Sequence, residues 1–124
     1  MKKIIDFKTQ APAPSIDYPR PDRLVTGNPQ RQTWTHYNSS ATGMEAGIWA
    51  CEPGAWRIAF ADNKEEFFSV IRGIVRLHDD AGKIVEVKTG ESAIIPAGFT
   101  GMFEVVEAVE KYFVLVEANT KEND

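Results

Sequence analysis

The chain has 124 residues, 43% of them hydrophobic, and a formal net charge of −4. That suits one domain with one core, because domains typically run roughly 100–150 residues. No apolar run approaches the roughly 18 residues of a membrane-spanning helix, and an acidic chain lacks the clustered Lys and Arg that nucleic-acid phosphates reward. The single cysteine, Cys51, rules out an internal disulfide and a thiolate zinc cluster. Set in Ile48-Trp49-Ala50-Cys51-Glu52, it reads as a small buried hydrophobe. The opening Met1-Lys2-Lys3-Ile4-Ile5-Asp6 meets an acid before a signal-peptide core can form, so a cytoplasmic protein is expected.

Residues 1–30 hold five of the seven prolines (Pro12, Pro14, Pro19, Pro21 and Pro29), which excludes a continuous helix or a central strand. An edge strand is expected at Lys3–Phe7, followed by an extended arm with apolar contacts from Ile16, Tyr18, Leu24 and Val25. Such an arm either covers its own sheet edge or crosses to a partner subunit.

From Thr33 onward the pattern is strand and turn. Strands are expected at Thr33–Asn38 and Glu45–Cys51, separated by the polar turn Asn38–Gly43. Trp56, Ile58, Phe60 and Asp62 then share one parity and should project to one side, with Arg57, Ala59 and Ala61 opposite. Asn63-Lys64 breaks the alternation as a turn, after which Glu66, Phe68 and Val70 resume it. On this pattern Asp62 and Glu66 face a common interior. Ile74–His78 and Lys83–Lys88 form a hairpin through Asp79-Asp80-Ala81-Gly82, and Ser92–Ile95 ends at Pro96. Two last strands, Gly101–Glu107 and Lys111–Glu117, are joined by a tight connection near Ala108-Val109. A polar tail, 119–124, follows. No stretch has sustained helical periodicity, so the fold class is all-β, a sandwich or barrel of short strands.

Gly54, Phe60, Asp62, Glu66 and Gly73 fall without a gap on the first motif of the cupin superfamily: glycine, five residues, His, one residue, His, three or four residues, Glu, six residues, Gly. Gly90, Pro96, Gly98 and Gly101 fall on the second: glycine, five residues, Pro, one residue, Gly, two residues, His. The stretches GIWACEPGAW, EEFFSVIRG, GESAIIPAGFTG and EKYFVL resemble the small cupins akin to ureidoglycine aminohydrolase and the ethanolamine-utilisation cupin. The resemblance implies a cupin-type double-stranded β-helix (a jelly-roll barrel) over residues 31–118, behind a proline-rich arm, 1–30. It also implies a homodimer. The chain departs from the family at the three histidine ligands, replaced by Phe60, Asp62 and Gly101; of the usual four ligands only Glu66 remains.

A catalytic transition-metal site normally needs three protein ligands, usually imidazoles. The two histidines, His36 and His78, lie off the motif. His36 reads as a satisfied strand residue and His78 as solvent-facing at a hairpin end. No cofactor is therefore expected. The alternative is an Asp62–Glu66 site for a hard ion such as Mg²⁺ or Mn²⁺, opposed by Phe60 and Gly101, which bring no donor.

A buried Glu66 needs a partner or a proton. Lys111 is the expected partner, with Arg57 and Arg72 also near enough in sequence. One reading is a purely structural Glu66–Lys111 pair. The other is a catalytic pair in which Glu66 acts as general acid or base on a bound polar molecule. Trp49, Trp56, Phe60, Phe68, Phe99 and Phe103 would wall the cavity, with the loop Pro96–Gly101 at its mouth. The expected function is binding of a small nitrogen-containing or carboxylic metabolite; if the chain is an enzyme, the resemblance implies an aminohydrolase-like hydrolase. The alternative is a non-catalytic binding or assembly module with a packed interior.

Overall fold

Nine strands, all paired antiparallel, make up the computed structural model, which describes residues 2–118. They are β1 (Ser15–Asp17), β2 (Leu24–Thr26), β3 (Arg31–Ser39), β4 (Met44–Cys51), β5 (Gly54–Ala59), β6 (Lys64–Asp79), β7 (Ile84–Lys88), β8 (Ser92–Ile95) and β9 (Thr100–Glu117). One 3₁₀ turn, Pro21–Arg23, precedes β2. Expectation and structure agree that the chain is all-β and built as the curled sheet of a cupin jelly roll. The expected tail at 119–124 lies outside the described residues.

Two long strands make the architecture. β6 and β9 pair from Lys64↔Glu117 to Asp79↔Gly101, and each bends so that its two halves belong to different sheets. The first half of β6 and the second half of β9 carry β8 on one side and β4, β3 and β1 on the other. The remaining halves carry β7 on one side, and β5 with β2 on the other. The facing surfaces enclose a core that includes Phe68, Val75, Val87 and Val105, whose positions alternate along their strands as a one-sided sheet requires.

Two local expectations are corrected. The tight connection expected near Ala108-Val109 does not form: those residues lie inside the continuous strand β9, as Gly73 opposite them lies inside β6. Their irregularity is a set of register shifts between Val70 and Val75, where β6 bends across β9. Gly73 has φ +97°, and a Cβ there would sit 2.7 Å from the Val109 Cα. The bend therefore needs a residue without a side chain. The strand expected at Lys3–Phe7 does not form. Asp6 closes a turn instead, its carbonyl accepting from the amides of Thr9 (3.3 Å) and Gln10 (3.0 Å). The sheet edge is covered further along the arm, where Ser15–Asp17 pairs with Arg31–Thr33 of the same chain.

Gly73→Ala should lower stability by more than the roughly 1 kcal/mol of φ strain alone, because backbone stands in the way of the methyl group. Gly82→Ala is the control, since Gly82 has φ +92° but nothing within 4 Å of the added carbon. Urea titration of both variants checks this; equal losses would show that the β6 bend is not tightly packed.

Candidate functional site

Lys111 lies mid-strand on β9, its backbone held between Trp49 of β4 and Val70 of β6. The side chain points inward and is 5% exposed. Its Nζ donates to Glu66 Oε2 at 2.8 Å and lies over the rings of Phe68, Trp49 and Phe103, at 4.3, 4.5 and 4.9 Å from their centroids. Removing an ammonium from water costs several kcal/mol. Here the carboxylate and three aromatic faces offset that cost, since a desolvated cation–π contact is worth about 2 kcal/mol. Of the sequence candidates for Glu66, only Lys111 reaches it. Arg57 pairs with Asp80 at 2.8 Å and Arg72 with Glu110 at 3.7 Å.

Above this pair is an open cavity of about 380 Å³. Trp49, Trp56, Phe60 and Phe103 stand in its wall with Glu66 and Lys111, so the interior is not the fully packed one of the alternative expectation. Trp49 meets Phe103 edge-on at 5.7 Å, and Trp56 lies 5.3 Å from the same ring. Glu66 Oε1 has no hydrogen-bond partner among the described residues, yet no buried side-chain oxygen is left unpaired. That oxygen is therefore accessible, and Glu66 belongs to the cavity lining.

Four expected residues fall elsewhere. Phe68 is fully buried behind Lys111. Phe99 lines a separate cavity of about 110 Å³ near Pro96 and Ile95. Asp62 is exposed, because β5 ends at Ala59 and the chain turns before Lys64. Its expected common interior with Glu66 is therefore corrected. Gly101 is buried in β9, where a Cβ would run into the His78 carbonyl and lie 2.7 Å from the Phe99 ring. A histidine could not occupy that position in this backbone. The donor set does not fit the metal that the cupin motif implies: Phe60 is a wall, Asp62 points away, Gly101 is blocked and Glu66 is held by Lys111. Among the described residues no group of three His, Cys, Asp or Glu side chains could hold a metal ion.

The histidines do not line the cavity. His36 stacks on Phe7, with centroids 4.1 Å apart. His78 is not the solvent-facing residue expected; it is half-buried, with Nε2 2.8 Å from Glu104 Oε1. Burial pushes the Cys51 thiol up to about 12, against the pull of nearby Arg31 and Lys111.

The rim holds groups that sequence reading missed. Arg31 makes two bonds to the Asp17 carboxylate, at 2.9 and 2.8 Å, and one to the Tyr18 carbonyl. Its guanidinium also lies 5.4 Å from the Trp56 ring centroid. Glu45 and Lys64 complete the charged lining. Parity would have found both: Glu45 alternates with Trp49, and Lys64 with Glu66 and Phe68.

Two predictions follow from the buried groups. Glu66→Gln should cost about 3 kcal/mol by stranding the Lys111 charge, and Lys111→Met combined with it should cost less than the sum of the single changes. Additive losses in denaturant titrations would mean that the two side chains do not interact. The folded Cys51 thiol should resist iodoacetamide at pH 8, where the unfolded chain reacts. Its proton is held more tightly in the fold, so stability should fall from pH 9 toward about 12, more in the wild type than in Cys51→Ala.

Residues 39–113 match the family model described as the EutQ-like cupin domain. A protein of unknown function of the DUF861 family from Pseudomonas syringae pv. tomato superposes with a TM-score of 0.76 at 21% identity, covering 88% of this chain and 46% of that one. The chain thus spans about half the length of the Pseudomonas protein. The EutQ protein of Clostridium difficile gives a TM-score of 0.63 at 25% identity, over 79% of this chain and 78% of that one. A putative ethanolamine utilization protein Q from Salmonella typhimurium gives 0.63 at 17% identity, over 89% and 100%. No curated protein matches the chain. The family model and the two EutQ structures agree with the ethanolamine-utilisation side of the sequence resemblance, and the aminohydrolase side draws nothing from them. On a match that spans more than half its length, this chain belongs to the EutQ-like cupin domain family.

Proposed function

We propose that this chain is a cytoplasmic, homodimeric cupin that binds a small polar metabolite in its barrel, with Glu66 as the group that exchanges a hydrogen bond or proton with it. One observation carries the reading: an accessible carboxylate oxygen at the floor of an aromatic-walled cavity. Ligand sites typically measure roughly 300–1,000 Å³ and combine apolar walls with a few placed polar groups. Lys111 holds Glu66 in one orientation, which is what a general acid or base requires. A nitrogen-containing or carboxylic compound fits the polar groups present. No membrane association is invoked; among the described residues no helix is long and apolar enough to cross a membrane.

The dimer is proposed on the outer face of the sheet. Phe67, Ile94 and Tyr112 are 43%, 63% and 47% exposed, and they lie on neighbouring strands: Phe67 opposite Ile94 and Val114, and Ser69 opposite Tyr112. A second copy of the chain would remove this apolar surface from water.

A thermal-shift screen of small amines, carboxylates and amides tests the site, because binding raises Tm by mass action. Hits should disappear in Glu66→Gln and also in Ile58→Trp, which fills the cavity without touching the ion pair. Hits that survive both changes, or none across the screen, would overturn the proposed site. For the dimer, light scattering should give twice the chain mass, and Ile94→Glu combined with Tyr112→Glu should halve it. A wild-type monomer at micromolar concentration would refute that part.

A further inference from the structure

We infer that the cavity selects a zwitterion, a short molecule with an ammonium at one end and a carboxylate at the other; this rests on reading the cavity as a ligand site. Three acids and three bases line it: Asp17, Glu45 and Glu66 against Arg31, Lys64 and Lys111. Their formal charges cancel. A ligand carrying net charge would enter a partly desolvated space with nothing left over to neutralise it.

The pairing inside the cavity shows which charges remain for a ligand. Asp17 is taken up by Arg31, and one oxygen of Glu66 by Lys111. Lys64 has no ion pair among the described residues, and its Nζ lies 5.3 Å from the Phe60 ring centroid. Among the described residues Glu45 receives only the Thr35 hydroxyl, at 3.3 Å on Oε2. The unspent charges are therefore one cation, Lys64, and one carboxylate, Glu45, beside the free acceptor oxygen of Glu66, whose charge Lys111 already balances.

Their placement is polarised. Glu45 and Glu66 both sit opposite Leu115 of β9, one from each side. They mark a single row across three strands, at one level of the cavity. Lys64 stands two residues from Glu66 on the same face of β6, roughly 7 Å away. An ammonium end thus meets the acidic row while a carboxylate end meets Lys64, with apolar surface between them for a methylene chain. A molecule bearing one charge would leave either the acidic row or Lys64 without its counter-charge.

Thermal-shift measurements at pH 7 can separate the charge types with simple probes. These are glycine, 4-aminobutanoate and 6-aminohexanoate as zwitterions of increasing span, butanoate as the anion and butylamine as the cation. At least one zwitterion should raise Tm by about 3 °C or more at millimolar concentration, with butanoate and butylamine giving less. In Lys64→Met, a change at the cavity rim that leaves the Glu66–Lys111 pair intact, the zwitterion should lose its advantage and butylamine should equal or exceed it. A shift from butanoate or butylamine in the wild type as large as any zwitterion's would overturn this inference and leave the cavity reading standing. So would a zwitterion shift unchanged in Lys64→Met. No shift from any of these probes would also overturn it, while the broader screen decides the cavity separately.

Discussion

A lysine ammonium inside a β-barrel is the constraint to which the surrounding side chains conform. Lys111 stands on an interior strand, bonded on both sides, so its side chain cannot swing out to water without breaking the sheet. Everything near Nζ is therefore arranged to hold a charge: one carboxylate oxygen and three ring faces. Those rings are large, and they contact one another through Phe103. Large rings that must all face one cation cannot also fill the space above it. The cavity is in this sense a consequence of solvating Lys111 with protein.

The same arrangement accounts for how this chain departs from the cupin motif. A metal ion would be the largest positive charge in such a barrel and would draw carboxylate and imidazole ligands toward itself. Here the acid retained at a ligand position meets a positive charge supplied by the chain. Gly101, packed against the His78 carbonyl and the Phe99 ring, shows that the backbone closes over one position where the cupin motif has a ligand. Phe60 turns another into wall. These changes agree with one another, which is what a coherent site without the metal ligands requires.

Strand parity made much of this legible beforehand. Trp56, Ile58 and Phe60 share a face, as do Glu66, Phe68 and Val70, and Lys111 is the partner expected of Glu66 because it stands among aromatic and aliphatic neighbours in the sequence. Parity failed where its premise failed. Asp62 was carried along the count past the end of β5, and residues in a turn have no fixed face. Lys64 was assigned to that turn, although it is the first residue of β6 and shares the Glu66 side. Gly73 and Ala108-Val109 look like punctuation, yet a long strand that bends between two sheets also needs small residues at the crossing. Asp17 and Arg31 were out of reach for another reason. Their contact depends on the register between the arm and β3, which no local pattern encodes.

The polar groups of the cavity differ in how firmly they are tied to the fold. Lys111 lies well inside β9 and Glu66, the third residue of β6, is paired on both sides, with Ile95 and Leu115, so the energy that holds them also holds the sheet together. Asp17, Glu45 and Lys64 come from the arm and from strand beginnings, and are themselves half-exposed or exposed. A change at the floor is felt first as lost stability, because it strands a buried charge. A change at the rim leaves the core intact and alters only which charges a visitor meets. Floor and rim are thus separable in this barrel: the one carries the fold, the other only the charge around the opening.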